Sequence, residues 1–118
     1  MLTAEQIHEF ADEWLAGWNS HDLERILGHY TDDIEFRSPL IVSITGDPSG
    51  LIRGKDSLRS YFSAGLKKYP GLSFRLIRLF RGVDSLIIYY ESVNGLLAAE
   101  MFEFTSEGLV SRVTCHYQ

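Results

Sequence analysis

The chain has 118 residues, 45% hydrophobic and 23% charged, so one globular domain over residues 1–118 is predicted. Its 11 basic and 16 acidic residues give a formal net charge of -5, which argues against broad binding to nucleic acid. A local basic group, Arg75, Arg78 and Arg81, is interpreted as a solvated sheet edge. A single cysteine excludes an internal disulfide and is typical of the cytoplasm, where we expect the protein. The longest apolar run, Leu86–Tyr90, is too short to cross a membrane.

Helices are predicted at the start of the chain. A capping box at Thr3–Gln6, followed by apolar residues at helical spacing, predicts a first helix over about Ala4–Trp18. A second helix begins near Asp22, because negative charge is favourable at the N-terminal end of a helix dipole. Its buried stripe consists of Leu23, Ile26, Leu27 and Tyr30.

The middle of the chain combines a strand, a loop and a third helix. After a predicted turn at residues 31–33, Ile34–Ser38 alternates apolar and polar side chains as a half-buried strand does. Leu40–Gly54 is predicted to be a long irregular loop of the kind that forms lids, with Ile41–Ile44 as a candidate short strand. A third helix is predicted over Lys55–Lys68.

Four strands complete the chain, over about Leu72–Arg81, Ser85–Val93, Leu96–Thr105 and Leu109–Tyr117. Their short links predict an antiparallel meander. The clearest hairpin signal is Asn94-Gly95, because a type I′ turn needs positive φ at both central residues. The predicted fold class is α+β, a cone-shaped barrel of three N-terminal helices packed on a strongly curved, mainly antiparallel sheet.

The predicted sheet is apolar on both of its faces. Ser85–Val93 carries apolar side chains on each side, and Leu96–Thr105 repeats the pattern. Such a sheet needs cover on both faces, and the chain offers only one layer of helices. We therefore predict a homodimer through the outer sheet face.

Four segments carry a family resemblance: Trp14–Leu23, Tyr30–Phe36, Ile52–Leu58 and Phe102–Val110. They resemble the SnoaL-like branch of the nuclear transport factor two-like superfamily, which includes polyketide cyclases and ketosteroid isomerases. The resemblance spans almost the whole chain and implies a conical fold with an interior pocket, usually in a dimer, with no metal or organic cofactor. Members include isomerases, cyclases, dehydratases, hydrolases and non-catalytic modules, so the resemblance is specific for the fold and weak for the activity.

Residue by residue, the resemblance transfers only part of the ketosteroid isomerase site. That group of enzymes places a hydroxyl donor at the position of Trp14, the proton-shuttling carboxylate at Ser38 and a protonated acid at Glu100. Only Glu100 keeps its chemical type. Because a serine cannot abstract a carbon-bound proton unaided, ketosteroid isomerase activity is not expected.

Glu100 is the candidate catalytic residue. It shares a strand face with Ala98, Phe102 and Phe104, which indicates the interior of the cone. Loss of hydration there raises the pKa of a carboxyl group, so Glu100 is predicted to donate to a ligand carbonyl or to act as an acid or base near neutral pH. The alternative is a structural glutamate paired with a buried Arg, Tyr or Trp.

The remaining predictions concern the ligand and the class of protein. Cys115 is predicted to be a small buried hydrophobe and not a nucleophile. An apolar small molecule is the predicted ligand, with isomerase, cyclase or hydrolase chemistry at Glu100 as the first hypothesis. A non-catalytic binding module and a protein-association module with a filled cone remain alternatives. The ligand-binding candidates are Trp14, Phe36, Ser38, Tyr61, Phe62, Phe102 and Tyr117.

Overall fold

Helices cover one face of a six-stranded sheet in the computed structural model, which describes residues 1–118. The helices are α1 (Ala4–Asn19), α2 (Leu23–Leu27), α3 (Pro39–Thr45) and α4 (Lys55–Lys68). The strands are β1 (Tyr30–Arg37), β2 (Leu51–Arg53), β3 (Arg75–Arg81), β4 (Ser85–Glu91), β5 (Leu97–Phe104) and β6 (Val110–Tyr117). The predicted α+β class is confirmed, with one helix more than expected. No helix here combines the length and apolar character that crossing a bilayer requires.

Helix α1 begins and packs as its sequence predicts. The Thr3 amide donates to Gln6 Oε1 at 2.9 Å, and the Gln6 amide donates to Thr3 Oγ1 at 3.1 Å, which completes the capping box. The apolar stripe of the helix faces the sheet, and its buried members are Ile7, Phe10, Ala11, Trp14 and Trp18. This stripe brings the Trp14 indole onto the sheet interior.

Helix α3 and strand β2 both lie in the segment Leu40–Gly54, so the prediction that it is an irregular loop is wrong. The candidate strand at Ile41–Ile44 is wrong, although its β-branched residues favour strands in general. A local capping signal outweighs that preference, because Ser38 Oγ accepts from the Leu40 amide at 3.2 Å and a proline occupies the first turn. The helix ends at Gly46, whose φ is 77°.

Strand β1 begins earlier than predicted. Residues 31–33, expected to form a turn, belong to the strand, and Tyr30 is its first residue and not part of α2. The register between β1 and β6 shifts between Tyr30 and Glu35. The Val110 amide also donates to the His29 carbonyl at 2.8 Å. Hydrogen bonds to β6, which is distant in the sequence, decide where β1 begins. A local sequence pattern carries no information about such bonds.

Strand β3 begins at Arg75, later than the predicted Leu72. The backbone of Phe74 is bound instead by the Asn19 side chain. Asn19 Nδ2 donates to the Phe74 carbonyl at 3.0 Å, and the Phe74 amide donates to Asn19 Oδ1 at 2.7 Å. This pair of bonds ties the end of α1 to the entry of the sheet.

The strand order is β2-β1-β6-β5-β4-β3, and every neighbouring pair is antiparallel except β1 with β6. The predicted meander of the last four strands is confirmed. The turn at Asn94-Gly95 is also confirmed, with φ of 56° and 73° at the two residues. Strand β3 forms one edge, where its three arginines are exposed as predicted.

Candidate functional site

Alternate residues of the strands face the helices and form the interior wall of the cone. Glu100 and Ser38 are the buried polar or charged side chains of the protein. The wall consists of Ile34, Phe36 and Ser38 at β1, Leu86, Ile88 and Tyr90 on β4, Ala98, Glu100 and Phe102 on β5, and Val113, Cys115 and Tyr117 on β6. The predicted interior position of Glu100 therefore agrees with the structure.

The Glu100 carboxyl lies in an almost dry environment, with 5% of the residue exposed. Ile88 and Cys115 flank it on the neighbouring strands. The Tyr90 hydroxyl donates to Glu100 Oε1 at 2.7 Å. Burial raises the pKa of Glu100 to about 7, and the interactions with Tyr90 and Cys115 oppose part of that rise. Both protonation states are consequently populated near neutral pH.

The sequence left open that Glu100 is a structural glutamate paired with a buried Arg, Tyr or Trp. One of the predicted partner types, a buried tyrosine, is present, and no arginine reaches the carboxyl. A neutral donor stabilises the carboxylate less than an ion pair does. Glu100 thus keeps a raised pKa despite having a hydrogen-bond partner.

Cys115 and Ser38 continue the polar group on the other side of Glu100. Cys115 is 4% exposed, and burial together with the nearby Glu100 charge raises the pKa of its thiol. The thiol therefore stays protonated, as the sequence predicted for a buried hydrophobe. Ser38 lies next to the thiol, while its Oγ accepts from the Leu40 amide as the cap of α3. Its position at the start of this helix gives Ser38 a structural role.

Two half-buried tyrosines, Tyr61 on α4 and Tyr117 on β6, lie close to Glu100 and Cys115. Burial raises the pKa of Tyr61 to about 12, and burial also raises the pKa of Tyr117. Both phenols remain protonated donors near neutral pH. They are the predicted ligand-binding residues that reach from the interior to the solvent.

Among the buried polar groups without a hydrogen-bond partner, the Trp14 indole N–H and the Tyr30 hydroxyl belong to the most deeply buried residues, each 1% exposed. They are neighbours, but they do not form a hydrogen bond of normal geometry. Burial, followed by the nearby Glu100 charge, raises the pKa of Tyr30 well above its ordinary value. Unpartnered donors are costly inside a protein, so each is a candidate contact for a polar ligand atom.

Aromatic rings fill the volume between these polar groups and the helices. The Trp14 ring lies 5.0 Å from the Tyr90 ring and 5.7 Å from the Phe102 ring, measured between centroids. The Phe62 ring lies 5.2 Å from Phe36. All the predicted site residues therefore border the same interior, whereas their roles toward a ligand stay predictions.

Tyr30 and Tyr90 are neighbours of Glu100 that the sequence did not identify as site residues. Period-two alternation places Tyr90 on the same face of β4 as Ile88 and would have identified it once β4 was paired with β5. Tyr30 gives no such signal, because it was assigned to a helix. Tyr89, between Ile88 and Tyr90 on β4, faces the outer side of the sheet.

Three surface depressions have volumes of about 690, 260 and 460 Å³. The first and third lie on the outer face near Glu35, Glu103 and Arg112. The second lies beside Phe10, His29 and Phe104, at the start of α1. Glu100 borders none of the three, so the predicted interior pocket stays a prediction. No group of three or more His, Cys, Asp or Glu side chains is placed to hold a metal ion.

The outer face of the sheet has an apolar part and a charged part. Phe80 on β3 is 53% exposed and pairs across the strands with Ile87, which pairs in turn with Met101. On β1 and β6, Glu35 lies 3.4 Å from Arg112 in an ion pair. The homodimer that was predicted through this face stays a prediction.

Comparison with known proteins finds a matching family and similar solved structures. A family model described as a SnoaL-like domain matches residues 11–117. A SnoaL-like protein of unknown function from Burkholderia thailandensis is 41% identical, over 100% of this chain and 99% of that chain, with a TM-score of 0.96. No curated protein matches the chain.

Two more distant structures share the fold alone. A protein provisionally described as a ketosteroid isomerase from Kribbella flavida is 21% identical, over 97% of this chain and 78% of that chain, with a TM-score of 0.75. The second is the epoxide hydrolase/cyclase-like enzyme SalBIII, which has a role in pyran ring formation in the polyether salinomycin. It is 17% identical, over 100% of this chain and 95% of that chain, with a TM-score of 0.79.

Proposed function

The chain belongs to the SnoaL-like family, and on that premise we propose that it binds a small apolar carbonyl or ring compound and acts on it through Glu100. The family resemblance seen in the sequence is thereby confirmed. The proposed chemistry is isomerase, cyclase or hydrolase chemistry without a metal or organic cofactor, in the cytoplasm. The observation that carries the proposal is the 5% exposure of this carboxyl group, because such burial raises its pKa to about 7.

A carboxyl group with this pKa suits general acid–base catalysis at neutral pH. Its neutral form donates a hydrogen bond or a proton to a developing oxyanion, and its ionised form removes a proton from a carbon acid or from water. The apolar neighbours Ile88 and Phe102 strengthen such interactions, because water does not screen them. Positioned groups of this kind contribute rate factors of about 10² to 10⁴.

The other interior residues support the binding part of the proposal. Tyr61 and Tyr117 offer phenolic donors near the solvent, and the Trp14 N–H is a buried donor without a partner. The rings of Phe36, Phe62 and Phe102 offer apolar contact area. Ser38 is not assigned a base role, because its hydroxyl caps α3.

A substrate panel tests the proposal. Ketones, epoxides and polyketide-like compounds are incubated with the wild type, with Glu100→Gln and with Glu103→Gln. Glu103 is a matched control, because it lies on the same strand but on the outer face, 3.9 Å from Arg112. We expect turnover that Glu100→Gln lowers by at least about a hundredfold and Glu103→Gln leaves intact. Full turnover by Glu100→Gln would remove Glu100 from the chemistry.

The ring packing in the interior supports a second candidate, a non-catalytic module of the same fold. Trp14, Phe74 and Tyr90 contact one another at centroid distances of 4.8 to 5.6 Å, so aromatic side chains occupy much of the cone. A ligand-binding module would bind members of the panel without turnover, with affinity lowered by Glu100→Gln. A protein-association module would bind none of them.

We also propose that the outer sheet face forms a homodimer. The face carries apolar side chains from β3, β4 and β5, and Phe80 alone is 53% exposed. Light scattering after size-exclusion chromatography should give a dimer mass for the wild type and a monomer mass for Ile87→Glu. Ile44→Glu is the control, because Ile44 is 62% exposed and belongs to α3 and not to a strand of this face. A monomeric wild type would contradict the proposal.

A further inference from the structure

We infer that Tyr90 is a positioning residue that holds the acidic proton of Glu100 on Oε2, an inference that rests on the proposed function. The Tyr90 hydroxyl donates to Glu100 Oε1 at 2.7 Å, and both residues are buried. In a neutral carboxylic acid, the oxygen that accepts such a bond is the carbonyl oxygen. The O–H then belongs to the other oxygen, Oε2.

The donor direction of this bond is the same in both protonation states of Glu100. Tyr90 is 1% exposed, and burial raises the pKa of its phenol well above the ordinary value, so the phenol keeps its proton. The Tyr117 hydroxyl also lies near the Tyr90 hydroxyl, but the bond to Glu100 Oε1 is the one with full hydrogen-bond geometry. Tyr90 therefore donates to the carboxylate and to the carboxylic acid alike. Proton transfer at Glu100 needs no rotation of Tyr90, which is the preorganisation that catalysis favours.

The strand register gives the proton a direction. Tyr90 lies on β4, on one side of Glu100, and Cys115 lies opposite Glu100 on β6, on the other side. Oε1 is bound by Tyr90 from the β4 side, which leaves Oε2 for the proton, and the Cys115 thiol contacts the carboxyl from the β6 side. A protonated thiol is only a weak hydrogen-bond partner, so Cys115 does not compete strongly for the Oε2 proton.

This direction specifies how a substrate is oriented. The atom that exchanges a proton with Glu100 approaches on the side of Cys115 and Ser38, where Tyr61 and Tyr117 lie between the interior and the solvent. The opposite side of the carboxyl is closed by Tyr90 and by the Trp14 ring, whose centroid is 5.0 Å from the Tyr90 ring. Tyr90 acts through Glu100 and does not touch the substrate.

Infrared difference spectroscopy of the full chain tests the inference without a substrate. The C=O stretch of protonated Glu100 is identified near pH 6 as the band that Glu100→Gln removes. In Tyr90→Phe we expect that band at higher wavenumber, because Oε1 no longer accepts a bond. The titration midpoint should rise by about one pH unit, because a donor to the carboxylate is lost. Tyr89→Phe, the neighbouring tyrosine on the outer face, should change neither value.

The outcomes separate this inference from the proposed function. A band that stays in place in Tyr90→Phe would overturn the positioning role, because the proton would then lie on Oε1. A wild type without any such band would instead remove the neutral carboxyl on which the proposed function depends. If Tyr90→Phe does not fold, 3-fluorotyrosine is incorporated at position 90 alone. It strengthens the same donor and should lower the wavenumber of the band. An unmoved band in the fluorinated protein would likewise contradict the inference.

Discussion

Replacement of Glu100 by glutamine removes one buried ionisable group and keeps both the side-chain shape and the acceptor for Tyr90. The pKa of this group rises from 4.5 to about 7 on folding, so the folded protein binds the proton more tightly than the unfolded chain does. The stabilisation by the neutral carboxyl is fully present below about pH 4.5 and is lost as the pH rises through 7. At 1.36 kcal/mol per pH unit, the loss is about 3 kcal/mol.

Glutamine does not titrate. The free energy of unfolding of Glu100→Gln, taken relative to that of the wild type, should therefore be higher at pH 8 than at about pH 4.5, by about 3 kcal/mol. Urea unfolding followed by tryptophan fluorescence at both pH values measures this difference. Every other ionisable group is the same in both proteins, so its contribution cancels. Glu103→Gln controls for the loss of one negative charge and should show no gain of this size. A difference between Glu100→Gln and the wild type that is equal at both pH values would show that the pKa of Glu100 does not rise on folding.

Three further predictions follow from the packing and the caps. Phe102→Ala removes a fully buried ring and should lower the free energy of urea unfolding by about 3 to 5 kcal/mol. Phe80→Ala, at a position that is 53% exposed, should lower it far less. Equal losses would contradict the burial of Phe102. Thr3→Ala removes the cap of α1 and should lower stability by about 1 kcal/mol, which Thr3→Ser should largely restore. Cys115, the single thiol, should react with a disulfide reagent only at the rate of unfolding, and fast labelling of the folded protein would show that the thiol is accessible.

The interior position of Glu100 was predictable, because strand alternation is a local property. Ala98, Glu100 and Phe102 fall on one face of β5 whatever the rest of the chain does, and all three are buried. The hydrogen bond from Tyr90 was not predictable in the same way. It depends on the β4–β5 register, which pairs Tyr90 with Ala98 and so places its hydroxyl beside Glu100.

The errors in the predicted fold have the same origin. Tyr30 was assigned to a helix because its local pattern continues the apolar stripe of α2, and pairing with β6 overrides that pattern. At α3 the β-branched residues suggested a strand, whereas the Ser38 cap and the following proline begin a helix. Long-range pairing and short capping motifs both outweigh residue propensity in these segments.

The family was recognisable because the matching segments contain core and turn residues. Trp14 and Phe102 belong both to those segments and to the buried core, so they report on the fold. Activity depends on fewer positions, and at one of these the chain has Ser38 where ketosteroid isomerases place a carboxylate. The chemistry therefore had to be argued from the surroundings of Glu100 itself.

A carbon-13 NMR titration of the Glu100 side-chain carboxyl measures directly whether this group is neutral or charged in the folded protein. The wild type is labelled at glutamate, and the Glu100 resonance is assigned as the signal that Glu100→Gln lacks. We predict a titration midpoint of about 7, because burial disfavours the charge of this carboxyl. A midpoint near the ordinary 4.5 would contradict the account, since Glu100 would then be a permanently ionised side chain at neutral pH.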